Sequence, residues 1–148
     1  MKPQKQKSLN SMDVLAIMLS VVLIFLAVLH FYWSIFGIKD PAAVLPTHIE
    51  SKTVKTPGKI MAALVGVILL GFAFVFINKV IGYISHPWLR YISIGIALVF
   101  IIRAFGDFKY VGFFKTAKNS KFSILDTKYY SPLCLLMGLL ILILELLA

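Results

Sequence analysis

Four long apolar runs constrain this chain more than any other feature of its sequence. They cover residues of about 14–36, 60–81, 87–105 and 132–148. A helix that crosses a bilayer needs about 20 predominantly apolar residues, and each run comes close to that length or exceeds it. The third run is the weakest, because Arg90 and Arg103 bracket it. It spans a membrane only if both arginines extend outward toward the head groups.

The composition excludes a soluble fold. Hydrophobic residues make up 60% of the 148 residues and charged residues 14%, whereas soluble domains have about half and about a quarter. A domain of this size buries too small a fraction of its chain to hide so much apolar surface. The single cysteine, Cys134, excludes a disulfide scaffold and a clustered-cysteine zinc site. We therefore expect an all-α integral membrane four-helix bundle, with residues 1–148 forming a single transmembrane domain.

Two helix starts are suggested by local signals. Ser11 is predicted to cap the first helix, with Asp13 in the first turn, where the helix dipole favours an anion. Ser131 followed by Pro132 is predicted to begin the fourth helix. Residues 106–131 are then an interfacial loop, in which aromatic residues and lysines alternate as they do at head-group depth.

The charge balance is strongly basic, with 15 Lys and Arg residues against 6 Asp and Glu residues. In a soluble protein this excess would indicate nucleic acid. Here the basic residues lie in the tail and loops, where lysines meet anionic head groups. We expect membrane lipids as partners, no nucleic acid, and a multi-pass location in the inner or plasma membrane. Ten of the 15 basic residues lie on the side of the loops at about 37–59 and 106–131, if Arg103 near the end of the third span is included, and this favours cytoplasmic loops.

Four crossings bring distant polar residues to one membrane boundary. The C-terminal ends of the first and third spans meet the N-terminal ends of the second and fourth. The candidate ligand-binding residues on this shared face are His30, Trp33, Arg103, Asp107, Lys115, Asp126 and Cys134. Ionisable residues at such positions are functional candidates by default, because burying them in a membrane is costly.

Three of these segments resemble a known family. They are HFYW from His30 to Trp33, RAFGDFKYVGFFK from Arg103 to Lys115, and DTKYYSPLC from Asp126 to Cys134. Together they resemble a bacterial family of small four-span membrane proteins, described only as a domain of unknown function. The resemblance covers nearly the whole chain. It implies the membrane architecture and implies no activity.

Each candidate residue also has a structural interpretation. His30 is either a proton acceptor or a residue that fixes helix packing through a carbonyl group. Arg103 and Asp107 are spaced i,i+4, and they either grip an anion or form a boundary salt bridge. Asp126 pairs with Arg103 or with a loop lysine, or it caps a turn. Cys134 is a packed, inert thiol or a nucleophile activated near a helix N-terminus.

The usual enzyme signatures are missing from the sequence. It contains no G-x-S-x-G elbow, Walker loop, dinucleotide fingerprint or H-E-x-x-H motif. Its three histidines, at 30, 48 and 86, are too widely spaced for a local metal motif. We therefore expect no metal, no cofactor and, on balance, no catalysis.

We expect the protein to recognise a lipid head group, a small anion or a partner protein. Arg103, Asp107 and Lys115 would make the polar contacts, and His30 and Trp33 would form the opposite wall. One alternative is a small membrane enzyme that uses His30, Asp126 and Cys134. Another is a transporter subunit that assembles as a homo-oligomer or with a partner membrane protein.

Overall fold

A computed structural model describes residues 9–45, 58–107 and 109–147, and in these ranges the chain is helical without a strand. The elements are α1 (Ser11–Phe36), α2 (Pro41–Val44), α3 (Lys59–Ile81), α4 (Trp88–Phe105), α5 (Lys121–Leu125), a π-helical turn (Asp126–Tyr130) and α6 (Ser131–Leu147). The last three form one continuous helix. That helix, α1, α3 and α4 are long and apolar enough to cross a membrane, which confirms the expected all-α membrane fold.

The four long helices pack as two pairs. Helix α1 lies mainly against α3, and α4 lies mainly against α6, with lighter contact between the pairs. Leucine, alanine and phenylalanine side chains of all four helices form the common core. Close approach within the first pair requires Gly66, since a Cβ there would lie 2.9 Å from the ring of Phe31. Large apolar side chains on the outer faces remain exposed, as a lipid environment requires.

Helix α1 begins one residue earlier than the sequence suggested. The Asn10 side chain accepts a hydrogen bond from the Asp13 N–H at 2.8 Å, and the Asp13 carboxylate accepts one from the Asn10 N–H at 3.1 Å. This reciprocal capping box satisfies two backbone donors at once. The prediction that Ser11 caps the helix was therefore wrong, whereas Asp13 does lie in the first turn.

The fourth spanning helix begins at Lys121, so the expected start at Ser131 was wrong. Ser120 caps it by accepting a hydrogen bond from the Ser123 N–H at 3.0 Å. Proline is tolerated inside this helix because the turn before it is π-helical. The Ser131 N–H bonds to the Asp126 carbonyl five residues back, and this wider turn accommodates Pro132, which has no N–H and would crowd an α-helical turn.

The position of this start changes the surroundings of the candidate residues. The loop expected at 106–131 is therefore shorter and covers residues 106–120. Asp126, which was expected in that loop, lies on a helix, and its side chain is buried. We call the membrane boundary near this loop the loop end. It contains the C-terminal ends of α1 and α4 and the N-terminal ends of α3 and of the Lys121–Leu147 helix. At the opposite end, Lys79 of α3 lies 2.8 Å from Glu145 of α6 and ties the two pairs together.

Candidate functional site

Asp126 is the centre of a buried polar network at the loop end. Its side chain is fully buried, and Oδ1 accepts a hydrogen bond from Arg103 Nη2 at 3.1 Å. Its Oδ2 accepts one from the Gly112 N–H at 2.8 Å and one from Lys115 Nζ at 3.0 Å. Lys115 Nζ also donates to the Gly112 carbonyl at 2.9 Å and to Thr127 Oγ1 at 2.6 Å. We call these five residues the Asp126 network; they join α4, the loop and the π-helical turn.

This network settles the alternatives for Asp126. The carboxylate pairs with Arg103 and also with a loop lysine, Lys115, so two of the alternatives occur together. Both carboxylate oxygens already accept hydrogen bonds from cationic or backbone donors. A carboxylate held in this way is stabilised in its charged form and is poorly placed to take a proton from a substrate.

Asp107 does not pair with Arg103, contrary to expectation. Helix α4 ends at Phe105, and Gly106 has a φ of +83°, so the i,i+4 relation of a helix does not reach Asp107. Instead Asp107 Oδ1 accepts hydrogen bonds from the backbone N–H groups of Lys109, Tyr110 and Val111, at 3.0, 2.7 and 2.9 Å. Slight burial raises the pKa of Asp107, but these three hydrogen bonds outweigh it and hold the pKa below its ordinary value. Asp107 therefore organises the loop.

Two glycines let the loop fold back onto the end of α4. Gly106 and Gly112 have φ values of +83° and +89°, which side-chain-bearing residues rarely adopt. A Cβ on Gly106 would lie 1.7 Å from the Val111 carbonyl oxygen, and one on Gly112 would lie 2.2 Å from the carbonyl oxygen of Phe105. This close approach presents the Gly112 N–H to Asp126.

A cavity of about 310 Å³ lies at the loop end, between the two helix pairs. His30 and Trp33 of α1, Arg103 of α4 and Cys134 of α6 line it, and leucine, valine and phenylalanine side chains supply most of the remaining wall. We call it the Arg103 cavity. The structure thus brings four of the seven candidate residues around one space. The other three do not line the cavity. Asp126 is bonded to Arg103 and to Lys115 in the Asp126 network, and Asp107 belongs to the loop.

The polar side chains that line the cavity differ in whether their hydrogen-bonding atoms have partners. His30 Nδ1 lies 2.7 Å from the Leu26 carbonyl, which only accepts, so Nδ1 donates this hydrogen bond. The Trp33 ring contacts His30 edge-on, with centroids 5.1 Å apart. The Arg103 side chain is 36% exposed, yet its Nη1 is buried and has no hydrogen-bond partner within the described ranges.

Tyr130 also belongs to this site, although it was not among the residues predicted from the sequence. Tyr130 lines the cavity, and its hydroxyl donates to the Ala43 carbonyl at 3.2 Å, which ties α2 to the π-helical turn. Its place in the DTKYYSPLC segment was the available signal. However, the direction in which it points depends on the π-helical turn, which the sequence did not reveal.

The catalytic candidates of the cavity are its thiol and its potential metal ligands. Its thiol, Cys134, is partly buried, and none of the hydrogen bonds found among the described residues joins it to a base. Within those same residues, no group of three or more His, Cys, Asp or Glu side chains is placed to hold a metal ion. The cavity places an arginine with a donor that is unpaired among the described residues beside an apolar wall.

Comparison with known proteins identifies a family without indicating an activity. No curated protein and no solved structure matches the chain. The model of a family described as protein of unknown function, DUF3995, matches residues 23–141, a range that includes all seven candidate residues. This match confirms the family of unknown function that the three sequence segments suggested. Because the match covers well over half of the 148 residues, the chain belongs to the DUF3995 family of proteins of unknown function.

Proposed function

We propose that this membrane protein binds an amphiphilic anion in the Arg103 cavity and does not convert it chemically. The acidic group would contact Arg103, and the apolar part would lie along the wall formed by both helix pairs. The observation that carries the proposal is Arg103 Nη1, a buried cationic donor without an acceptor among the described residues. An unsatisfied buried donor costs about 1–3 kcal/mol, and a ligand oxygen at this position would remove that cost.

The charges around the cavity support an anion. Arg103 and Lys115 carry two positive charges, and Asp126, the carboxylate bonded to both, carries one negative charge. The Asp126 network therefore has an excess of one positive charge next to a largely apolar space. A low-dielectric setting strengthens the attraction between this charge and an anion. A neutral ligand would leave the charge uncompensated.

The size and lining of the cavity favour an amphiphile over a simple anion or a protein surface. At about 30 Å³ for each water-sized group, a volume of about 310 Å³ holds roughly ten such groups. That size suits a medium-chain carboxylate, a small aromatic acid or part of a lipid. An inorganic anion would leave the apolar wall without contacts, and a flat partner surface would not fill a concave space.

The basic loops support a location in the inner or plasma membrane with the loop end on the cytoplasmic side. Ten of the 15 lysines and arginines lie at positions 37–59 and 103–131 of the sequence, and cytoplasmic segments are enriched in these residues. An amphiphilic anion could then reach the cavity from the inner leaflet. Reporter fusions placed in the loop around residues 37–59 and near the N-terminus would test this orientation.

Quenching of Trp33 fluorescence tests the proposed binding directly. Trp33 lines the cavity, and a Trp88→Phe background removes the second tryptophan. The full chain in mild detergent is titrated with brominated decanoate and, separately, with a brominated decylammonium salt of the same length. We expect saturable quenching by the carboxylate alone. Arg103→Gln should weaken binding about tenfold or more, since a charged hydrogen bond is lost.

A second pair of variants keeps the test informative if Arg103→Gln does not fold. Val65 lines the cavity, and Val65→Phe fills space while leaving the Asp126 network unchanged. Val67 lies on the outer face of the same helix, so Val67→Phe is the matched control. We expect Val65→Phe to prevent quenching and Val67→Phe to preserve it. Equal binding by both variants, or equal saturable quenching by the ammonium salt, would contradict the proposal.

A further inference from the structure

A second pocket at the loop end is lined by three lysines. It has a volume of about 410 Å³ and lies between the loop and the helix that begins at Lys121. Lys115, Lys118 and Lys128 line it, and no acidic side chain does. We call it the lysine pocket. Lys115 is already neutralised by Asp126 at 3.0 Å, so the other two lysines determine the charge of the pocket.

Lys118 and Lys128 are cations that have no carboxylate partner in the part of the chain that the structure describes. Both are exposed, and the ion pairs found among the described residues include neither of them. Lys128 Nζ lies 5.2 Å from the ring centre of Tyr129, a cation–π contact that leaves its positive charge without a carboxylate partner among the described residues. Two positive charges therefore face a concave surface with nothing in the described chain to compensate them.

We propose that Lys118 and Lys128 bind the phosphate group of an acidic phospholipid in the lysine pocket. Lysine ammonium groups bind phosphate oxygens as compact charges. Thr127 adds a donor, because its Oγ1 accepts a hydrogen bond from Lys115 and its own hydrogen stays available. Phosphate chemistry thus matches the charge and the donors of this pocket.

The rim of the pocket favours a lipid phosphate over free phosphate. Phe113 and Ile124 line it, and both are large apolar side chains that remain exposed. The pocket also adjoins the N-terminal end of a spanning helix, which places it near head-group depth. Apolar side chains at that depth contact acyl chains while neighbouring lysines contact phosphates. Free phosphate would use the lysines and leave these apolar groups unmatched.

Lipid titration with matched lysine variants tests this site. The full chain in mild detergent is titrated with phosphatidylglycerol or with phosphatidylcholine of the same chains, and bound lipid is counted by native mass spectrometry. The pocket variant is Lys118→Gln with Lys128→Gln. The control is Lys39→Gln with Lys109→Gln, which removes the same charge from exposed lysines outside the pocket.

We expect the wild type to prefer phosphatidylglycerol. The pocket variant should lose about thirtyfold in affinity for it, the effect of two lysines near a membrane surface, and the control should lose far less. Equal losses in the two variants would assign binding to diffuse surface charge and overturn the site. Equal affinity of the wild type for both lipids would also overturn it. Inorganic phosphate is titrated separately, and if it alone protects the pocket lysines from acetylation, the lipid assignment fails.

The lysine pocket and the Arg103 cavity can be tested separately. Lys118→Gln with Lys128→Gln should still show decanoate quenching of Trp33, because neither lysine lines the cavity. Val65→Phe should keep its preference for phosphatidylglycerol, because Val65 does not line the lysine pocket. Loss of both activities in either variant, with the helical circular dichroism unchanged, would contradict two independent sites.

Discussion

Lys115 Nζ lies 3.0 Å from a carboxylate oxygen of Asp126, with the two side chains 2% and 0% exposed. One residue lies in the loop after α4 and the other on the π-helical turn, so the ion pair fixes the loop against the fourth spanning helix. Removing two charges from water is costly, and such a pair is tolerated when further hydrogen bonds satisfy both ions. Gly112, Thr127 and Arg103 provide those bonds.

Loss of the Asp126 charge should destabilise the protein strongly. Asp126→Asn leaves the buried Lys115 without its counter-charge, and removing one partner of a buried pair costs about 3–5 kcal/mol. We expect a clear fall in the thermal unfolding temperature in detergent. Asp40→Asn is the matched control, since Asp40 and Lys121 form an exposed ion pair that is worth about 0–1 kcal/mol. Similar melting temperatures for the two variants would contradict this role for Asp126.

The two glycines of the loop should tolerate no side chain. Gly106→Ala and Gly112→Ala combine a left-handed φ with a Cβ placed 1.7 Å and 2.2 Å from carbonyl oxygens. Each should therefore cost more than the roughly 1–2 kcal/mol of the left-handed helical conformation, and Gly106, with a φ of +83° and a ψ of −167°, lies outside even that conformation. Gly82→Ala provides the control, because Gly82 has a φ of +71° and open space around its Cβ position. We expect Gly82→Ala to unfold at a higher temperature than either loop variant, and equal losses would contradict a special requirement for glycine in the loop.

The sequence was sufficient to predict the spanning helices and their convergence. Apolar runs are long-range signals, and they predicted three of the four helices to within three residues at each end of the described bounds. The even number of crossings then placed His30, Arg103 and Cys134 at one boundary, where the structure has them around one cavity. Whether these residues bind a ligand remains a prediction.

The wrong predictions, the Arg103–Asp107 pair and the helix start at Ser131, came from local sequence patterns. Whether such patterns form the expected structure depends on tertiary contacts. The spacing of Arg103 and Asp107 predicted a pair only for a continuous helix, and the fold-back at Gly106 ends that helix. The dipeptide at Ser131 resembles a helix start, yet the π-helical turn before it allows the helix to continue. Which cation pairs with Asp126 depends on both features, so spacing along the chain could not determine it.

Acidification should loosen the loop through Asp107. Hydrogen bonds from three backbone N–H groups hold the pKa of Asp107 below its ordinary value, so its charged form stabilises the folded loop. That contribution is fully present above the unfolded pKa, near 4, and is lost as the pH falls through the lower folded pKa. Hydrogen exchange of the Lys109, Tyr110 and Val111 amides, corrected for the intrinsic pH dependence, should show protection at pH 6 and its loss below about pH 4.

Asp107→Asn separates charge from geometry in this experiment. The asparagine oxygen still accepts hydrogen bonds from the same amides, so some protection should remain while its dependence on acid disappears. Asp107→Ala should remove protection at every pH. If the amides of Asp107→Asn lost their protection from exchange over the same acidic range as those of the wild type, the pH dependence would come from a group other than Asp107.

Alkylation of Cys134 should report occupancy of the Arg103 cavity. Cys134 is the only cysteine in the chain and lines the cavity, so N-ethylmaleimide labels this site alone. We expect decanoate to slow the reaction in the wild type, because a bound chain would cover the thiol. In Arg103→Gln the same concentration should give little protection, and a decylammonium salt should protect neither protein.

The same reaction distinguishes binding from catalysis. Because no hydrogen bond among the described residues joins Cys134 to a base, His30→Gln should change the alkylation rate near neutral pH by less than about twofold. Thiolate is the reactive form, so an activating histidine would make the rate fall much further when it is replaced. A large fall, with decanoate quenching of Trp33 unchanged, would favour the enzyme that uses His30 and Cys134. An unchanged rate together with protection by decanoate favours a binding cavity, in which Cys134 contributes to the wall.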